Sequence, residues 1–245
     1  GSDTTLEYDS LGRKIKMIDP DMGTWEYRYN GFGELTWQKD ARGKVVTLSY
    51  DSLGRLSTRN EEEGTTTWTY DTATRGGDTW KGKLASVSAP GGYSQTFAYD
   101  GYGRPATTTT TVSGSGVYSV TQTYDGYGRP STLVYPTNFR TRNVYNTFGF
   151  LKEVRRYDAA DDGKAPDQMR GKLFWSAQEY TRTGKVSQEL FGNGLISNRA
   201  YSERSGRLLG TNTGFGFASG STYSVQRLDY QYDALGNVVH RNDGW

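Results

Sequence analysis

Tyr50-Asp51-Ser52-Leu53-Gly54-Arg55 decides the fold, because the chain repeats it. Tyr8-Asp9-Ser10-Leu11-Gly12-Arg13 copies it letter for letter. Tyr99-Asp100-Gly101-Tyr102-Gly103-Arg104 and Tyr124-Asp125-Gly126-Tyr127-Gly128-Arg129 differ from it only between Asp and the second Gly. Looser copies are Tyr29-Asn30…Gly33, Tyr145-Asn146…Gly149 and Tyr232-Asp233…Gly236, and degenerate ones are Tyr180…Gly184 and Tyr201…Gly206. Tyr70-Asp71 is a copy whose turn is stretched to Gly82. From Tyr8 to Tyr232 the tyrosines are 21, 21, 20, 29, 25, 21, 35, 21 and 31 residues apart. The unit is therefore about 21 residues, a period that signals a repeat architecture, and the longer spacings carry insertions.

The motif has a local physical cause. Asp or Asn at the first turn position accepts a hydrogen bond from the backbone two residues on. Gly at the fourth position supplies the left-handed conformation that a type I turn with a bulge requires in a hairpin. After Gly comes Arg or another polar residue, then usually an apolar one: Leu35, Leu56, Leu84, Leu151, Val186, Leu208, Val238. Lys14, Pro105 and Pro130 break that column. A second turn follows about ten residues later, at Pro20–Gly23, Asp40–Gly43 and Glu61–Gly64, so each unit reads as two strands of about six or seven residues. Trp25, Tyr27 and Tyr29 alternate with Thr24, Glu26 and Arg28, the period of two expected of a strand with unlike faces. Gln122 and Asn143 take the places of Tyr27 and Trp68, so part of the sheet has a wet face.

Composition agrees. Of 245 residues only 33% are hydrophobic, yet Gly numbers 32, Tyr 19, Phe 9 and Trp 6, which is too aromatic for a disordered chain. No window sustains helical periodicity over three turns, and no apolar run approaches the roughly 20 residues of a membrane-spanning helix. Lys and Arg number 29 against 27 Asp and Glu, both signs scattered, which describes a solvated surface and not a nucleic-acid-binding one. With no Cys, disulfides and thiolate metal sites are excluded. Gly1-Ser2 looks like a cloning scar. The sequence therefore predicts an all-β chain: one elongated, curved antiparallel strip over 3–245, about ten tandem hairpins, with longer insertions near 72–82, 113–116, 158–171 and 213–222. At most one short helical turn is expected, in an insertion such as Ala159–Arg170. Tyr157-Asp158 leading to Gly171 mimics Tyr70-Asp71 leading to Gly82, so the segment could hold a further distorted unit.

These hexapeptides resemble the YD repeats of Rhs proteins, of bacterial ABC-type toxin complexes and of the animal teneurins. The resemblance runs over essentially the whole chain. It implies a partial turn of a hollow β-hairpin shell that encloses a C-terminal toxin, secreted or at the surface of a bacterium. The partners it implies are the rest of the shell and an encapsulated toxin polypeptide, with no cofactor. The family's terminal core, with its paired Asp-Pro cleavage signature, is not found; Asp19-Pro20 sits where each unit has its second turn.

Candidate chemistry is sparse. His240 is the only histidine and lies on a strand, which removes histidine triads and two-histidine zinc sites. Ser113-Gly114-Ser115-Gly116 reads as a flexible inserted loop, where Gly116→Ala should cost less than Gly54→Ala. The clusters Glu61, Glu62, Glu63 and Asp161, Asp162 could suggest a glycosidase pair, but they fall in turns of different units. Asp158, Asp161 and Asp162 with Gly163 fit no full calcium loop. Trp25, Trp37, Trp68, Trp80, Trp175 and Trp245 leave room for an alternative function, a carbohydrate- or protein-binding surface. The repeat tyrosines are expected to stack ring on ring between units. Strand edges left open at Leu6–Tyr29 and Gln226–His240 are expected to pair with another copy.

Overall fold

The structure is a computed structural model that describes residues 3–75, 78–161, 164, 171–215 and 223–244. It divides into two compact units, Gly1–Thr121 and Gln122–Trp245. The first is an antiparallel meander of β1 (Thr5–Tyr8), β2 (Lys14–Asp19), β3 (Gly23–Tyr29), β4 (Leu35–Lys39), β5 (Val45–Tyr50), β6 (Leu56–Glu61) and β7 (Gly64–Tyr70). A small side hairpin, β8 (Thr74–Arg75) with β9 (Asp78–Thr79), interrupts it. The meander resumes with β10 (Leu84–Ala89), paired directly to β7, then β11 (Tyr93–Tyr99), β12 (Pro105–Val112) and β13 (Gly116–Tyr124). The second unit repeats the pattern in β14 (Pro130–Val134), β15 (Arg140–Tyr145), β16 (Leu151–Arg156), β17 (Leu173–Tyr180) and β18 (Val186–Phe191). It continues through β19 (Ile196–Tyr201), β20 (Leu208–Phe215), β21 (Tyr223–Tyr232) and β22 (Val238–Asp243).

Every repeat tyrosine ends a strand. The ladder slips by one residue just before Tyr8, Tyr29, Tyr50, Tyr99, Tyr145, Tyr201 and Tyr232. This is the bulge that a left-handed Gly at the fourth turn position produces, and Gly54 has φ +75°. Because the strands meander, the Tyr-Asp turns of a unit all lie along one edge of its sheet and the other turns along the far edge.

Among the described residues no second layer covers the sheet within either unit. Among the described residues only Ala73, Ala85, Val144, Tyr157 and Ala177 are buried apolar ones, and no large side chain is fully buried. The chain exposes 15855 Å², against roughly 11,000 Å² for a compact protein of its mass. Stability must therefore come from the strand ladders and from contacts between neighbouring hairpins.

Three expectations need correction. No unit of the sheet is inserted within 157–172: β16 pairs directly with β17, so this insertion, of which 162–163 and 165–170 lie outside the described residues, is on the far edge, whereas 72–82 lies on the Tyr-Asp edge. Short helical turns number two among the described residues, Ala159–Asp161 and also Pro90–Gly92, where Pro fixes the first φ of a far turn. Ser113–Gly116 is a tight hairpin turn between strands of eight and nine residues. Its Gly116 has φ +131°, which opposes a side chain at least as strongly as Gly54 does. Gly1, Ser2, Asp162, Gly163, Trp245 and most of the 213–222 insertion lie outside the described residues.

Candidate functional site

The repeated structure is a clamp at each Tyr-Asp turn. Asp9 Oδ1 accepts the backbone N–H of Leu11 and of Arg13, both at 2.9 Å, while Oδ2 accepts Arg13 Nε at 2.6 Å. Asp51, Asp100 and Asp125 do the same for Arg55, Arg104 and Arg129. One carboxylate thus organises five residues of backbone and fixes a guanidinium. The backbone N–H of Arg13, ahead of its side chain, holds the Asp9 carboxyl below the ordinary carboxylate range, and Asp51 is lowered likewise by Arg55. At Asp100 and Asp125 burial works the other way, and the hydrogen bonds from Arg104 and Arg129 outweigh it.

Other copies keep the geometry with different chemistry. Asn30 accepts the N–H groups of Phe32 and Glu34 and donates its amide to Glu34 Oε2 at 2.6 Å, inverting the polarity of the Asp–Arg pair. Asn146 accepts from Phe148 and Phe150, and the Phe150 ring lies 5.5 Å from that of Tyr180. Asp233 accepts the N–H groups of Gly236 and Asn237 and the Asn237 amide. Asp71, with φ +66°, still closes its stretched turn: its N–H donates to Lys83 O at 2.9 Å and its carboxylate accepts from Gly82. Arg55 bridges Asp71 and Asp51, and these bonds raise its pKa, Asp71's first.

The clamped cation reaches the next unit. Arg13 lies 5.1 Å from the Tyr29 ring centroid, Arg55 4.3 Å from Tyr70, Arg129 4.1 Å from Tyr145 and Arg207 5.5 Å from Tyr232. Lysines serve at Lys83 over Tyr99 and Lys185 over Tyr201. Arg13 also donates to Asn30 O, Arg207 to Asp233 O and Lys185 to Gly206 O. The tyrosine hydroxyl completes the link. Tyr29 donates to Lys14 O at 2.8 Å, Tyr50 to Leu35 O at 2.8 Å, Tyr70 to Leu56 O at 3.1 Å and Tyr99 to Leu84 O at 2.8 Å. In the second unit Tyr145 donates to Pro130 O, Tyr180 to Leu151 O, Tyr201 to Val186 O and Tyr232 to Leu208 O. Burial raises the pKa of Tyr50, Tyr99 and Tyr180, which keeps the donated proton in place.

Two readings from sequence change here. Six repeat tyrosines, Tyr29, Tyr70, Tyr99, Tyr145, Tyr201 and Tyr232, lie under an Arg or Lys and not ring on ring as expected, whereas Tyr180 does pack against the Phe150 ring of the preceding turn. Lys14 and Pro130 break the apolar column harmlessly, because the hydroxyl binds their backbone carbonyl and ignores the side chain. The role of Arg13 and Arg55 was signalled only by the recurrence of Arg after Gly. Tyr8 ends β1, more than half exposed, and Tyr124 ends β13.

The chemical candidates stay apart. Glu61 pairs with Arg59 and Glu62 with Lys44 at one far turn, and Asp161 pairs with Lys164 in the second unit. Among the described residues no three His, Cys, Asp or Glu side chains gather as a metal site. His240 is exposed on β22. Asp19 caps the turn after β2 by accepting the N–H groups of Asp21 and Met22. No helix among the described residues is long and apolar enough to cross a membrane.

The repeat has known counterparts. The RHS Repeat family model matches residues 29–66 and 81–117. Both segments are similar to RHS repeats. Over 99 residues the chain is 29% identical to double-stranded DNA deaminase toxin A of Burkholderia cenocepacia (strain H111), which covers 40% of this chain and 6% of that protein. The crystal structure of TcdB2-TccC3-TEV superposes on 98% of the chain with a TM-score of 0.72 at 18% identity. So does the Photorhabdus luminescens Tc holotoxin pore, at the same score and identity. TcdB2-TccC3 without its hypervariable C-terminal region gives 0.73. The chain spans 12% of the length of those chains.

Proposed function

We propose that the chain is a structural segment of an RHS-repeat shell that shields a C-terminal toxin or effector polypeptide and carries out no chemistry itself. On this reading 3–245 is a single strip of about ten units, and the turn residues from Tyr8 to Gly236 named above serve to hold its register. The observation that carries the proposal is the clamp itself. The turn oxygen holds its own turn while the Tyr hydroxyl and the Arg or Lys reach the neighbouring hairpin, which builds a wall one sheet thick with no catalytic cluster among the described residues. The likeness in fold to TcdB2-TccC3 over nearly the whole chain supports the same reading. The partners are the rest of the strip and the enclosed polypeptide, in a secreted or cell-surface bacterial setting. The test is limited proteolysis of the full-length polypeptide that contains this segment. Its C-terminal part should resist protease until acid or denaturant opens the strip; equal sensitivity of both parts at neutral pH would sink the proposal.

A second reading, carbohydrate binding, is favoured by one feature. The Trp25 and Tyr27 rings stack at 6.5 Å, and Trp25 borders a cavity of about 370 Å³ lined by Gln38, Arg59 and Glu61. Titration of a glycan panel against tryptophan fluorescence, repeated with Trp25→Ala, separates the two readings.

A further inference from the structure

The tips of the Tyr-Asp turns carry side chains that the clamp does not use. In the first unit Leu11 is 73% exposed, Phe32 93%, Leu53 73% and Tyr102 84%. All four occupy the third turn position, directly before the left-handed Gly. In the second unit Tyr127, Phe148 and Leu235 occupy the same position and are at least as exposed as Leu11. The residue before each is small: Ser10, Gly31, Ser52 and Gly101 in the first unit, and Gly126, Thr147 and Ala234 in the second. In a chain with 23% charged residues these fourteen positions would carry about three charges by chance. They carry none. Where the apolar tip is lost, at Thr181–Gly184 and Ser202–Gly206, charge returns as Arg182, Glu203 and Arg204. Asp9 and Asp51 are neutralised within their own turns by Arg13 and Arg55, and the Glu34 carboxylate beside Phe32 is held by the Asn30 amide.

An isolated exposed leucine needs no explanation, but a row of large apolar side chains, evenly spaced over Leu11, Phe32 and Leu53 and parted from Tyr102 by the 72–82 insertion, marks a contact surface. Its spacing says what fits. Successive Tyr-Asp turns are two strands apart, about 9.6 Å in a hydrogen-bonded ladder, so Leu11, Phe32 and Leu53 form knobs at that period with small residues between them. The surface that matches both the period and the alternation of large with small is another edge of the same kind, set half a period out of step. We propose that the Tyr-Asp edge of the first unit docks against the same edge of a second copy of this chain, knobs into gaps, about a two-fold axis. Phe32 and Tyr102 offer on the order of 300 Å² between them. With Leu11 and Leu53 the row still falls short of the roughly 800 Å² per partner of a standard stable interface. The association is therefore weak and concentration-dependent. It does not depend on the shell reading.

Sedimentation equilibrium of the chain across a concentration series tests it. The wild type should show a monomer–dimer equilibrium. The triple variant Leu11→Lys/Phe32→Lys/Leu53→Lys should weaken it at least tenfold with an unchanged far-UV spectrum, while Met22→Lys on the far edge and Leu6→Pro on β1 leave it in place. Should the triple variant lose its strand signal, Phe32→Ser alone should still weaken the dimer severalfold. A wild type that stays monomeric throughout overturns the proposal. So does association that survives the tip variants but is lost in Leu6→Pro, which would assign it to end-strand pairing. Tip-dependent binding of a monomer to phosphatidylcholine vesicles would overturn it in favour of a lipid surface.

Discussion

The two edges of the first unit hold their neighbours by different physics. On the Tyr-Asp edge the register is set by hydrogen bonds and cations that reach from one hairpin to the next, and the turn glycines meet open space or the end of a side chain: a Cβ on Gly12 or Gly33 would meet nothing within 4 Å, one on Gly54 the Glu34 carboxylate at 2.9 Å and one on Gly103 the Trp80 ring at 3.3 Å. On the far edge neighbouring turns touch. A Cβ on Gly23 would fall 2.5 Å from that of Ala41, one on Gly64 2.9 Å from Pro90 Cγ, and one on Gly92 2.6 Å from Ser113 Cβ. Directional bonds confine the first turn position to a short side chain with an accepting oxygen, Asp, Asn, Thr or Ser, whereas steric contact asks only for a small partner. That is why the Tyr-Asp turns recur as a readable motif and the far turns do not. Insertions are tolerated on either edge: 157–172 leaves the pairing of β16 with β17 intact on the far side, and 72–82 leaves that of β7 with β10 intact on the Tyr-Asp side.

Acid should separate the edges most strongly. Of the eight aspartates among the described residues held below their ordinary value, Asp9, Asp51, Asp71, Asp100, Asp125 and Asp233 lie in Tyr-Asp turns, and Asp19 and Asp40 in far turns. A carboxyl lowered in the folded state stabilises above its unfolded pKa, near 3.9, and that contribution fades as pH falls through the folded value. Hydrogen exchange is therefore expected to rise first at the amides of Leu11, Arg13, Leu53 and Arg55 as pH drops below about 4. Uniform loosening of both edges would contradict the division.

Glycine substitution should give the next largest effect. Gly64→Ala meets both φ +128° and the Pro90 ring and should cost about 2–3 kcal/mol in urea unfolding. Gly12→Ala, opposed by φ +75° alone, should cost about 1 kcal/mol. Equal midpoints would mean that the far turns do not bear on each other.

The Asn30–Glu34 pair offers a sharper probe. Asn30→Asp places like charges in contact and should destabilise by about 1 kcal/mol, and adding Glu34→Arg should recover most of it by recreating the Asp9–Arg13 clamp. A double-mutant cycle that closes without coupling would remove the clamp as a working unit. Tyr29→Phe, which deletes the bond to Lys14 O, should cost about 0.5–1.5 kcal/mol. Smallest of all, Leu53→Ser should leave the unfolding midpoint within about 0.5 kcal/mol, because its side chain touches little within the monomer.

The sequence by itself determined whatever closes within about five residues. Asp51 binds the amides of residues 53 and 55, and Gly54 must be left-handed to allow it, so turn type, strand ends and repeat period were all legible in one hexapeptide. Tertiary structure decided whatever spans a whole unit. Tyr29 finds the carbonyl of Lys14 fifteen residues back, Arg13 covers a ring sixteen residues on, and nothing in the local pattern encodes either partner. Nor could spacing alone tell which edge an insertion occupies: Tyr157-Asp158 looked like Tyr70-Asp71, and only the pairing of β16 with β17 put it on the far side. Turn chemistry is local and therefore written in the sequence, whereas the clamp between hairpins exists only once the ladder brings distant residues within hydrogen-bond reach.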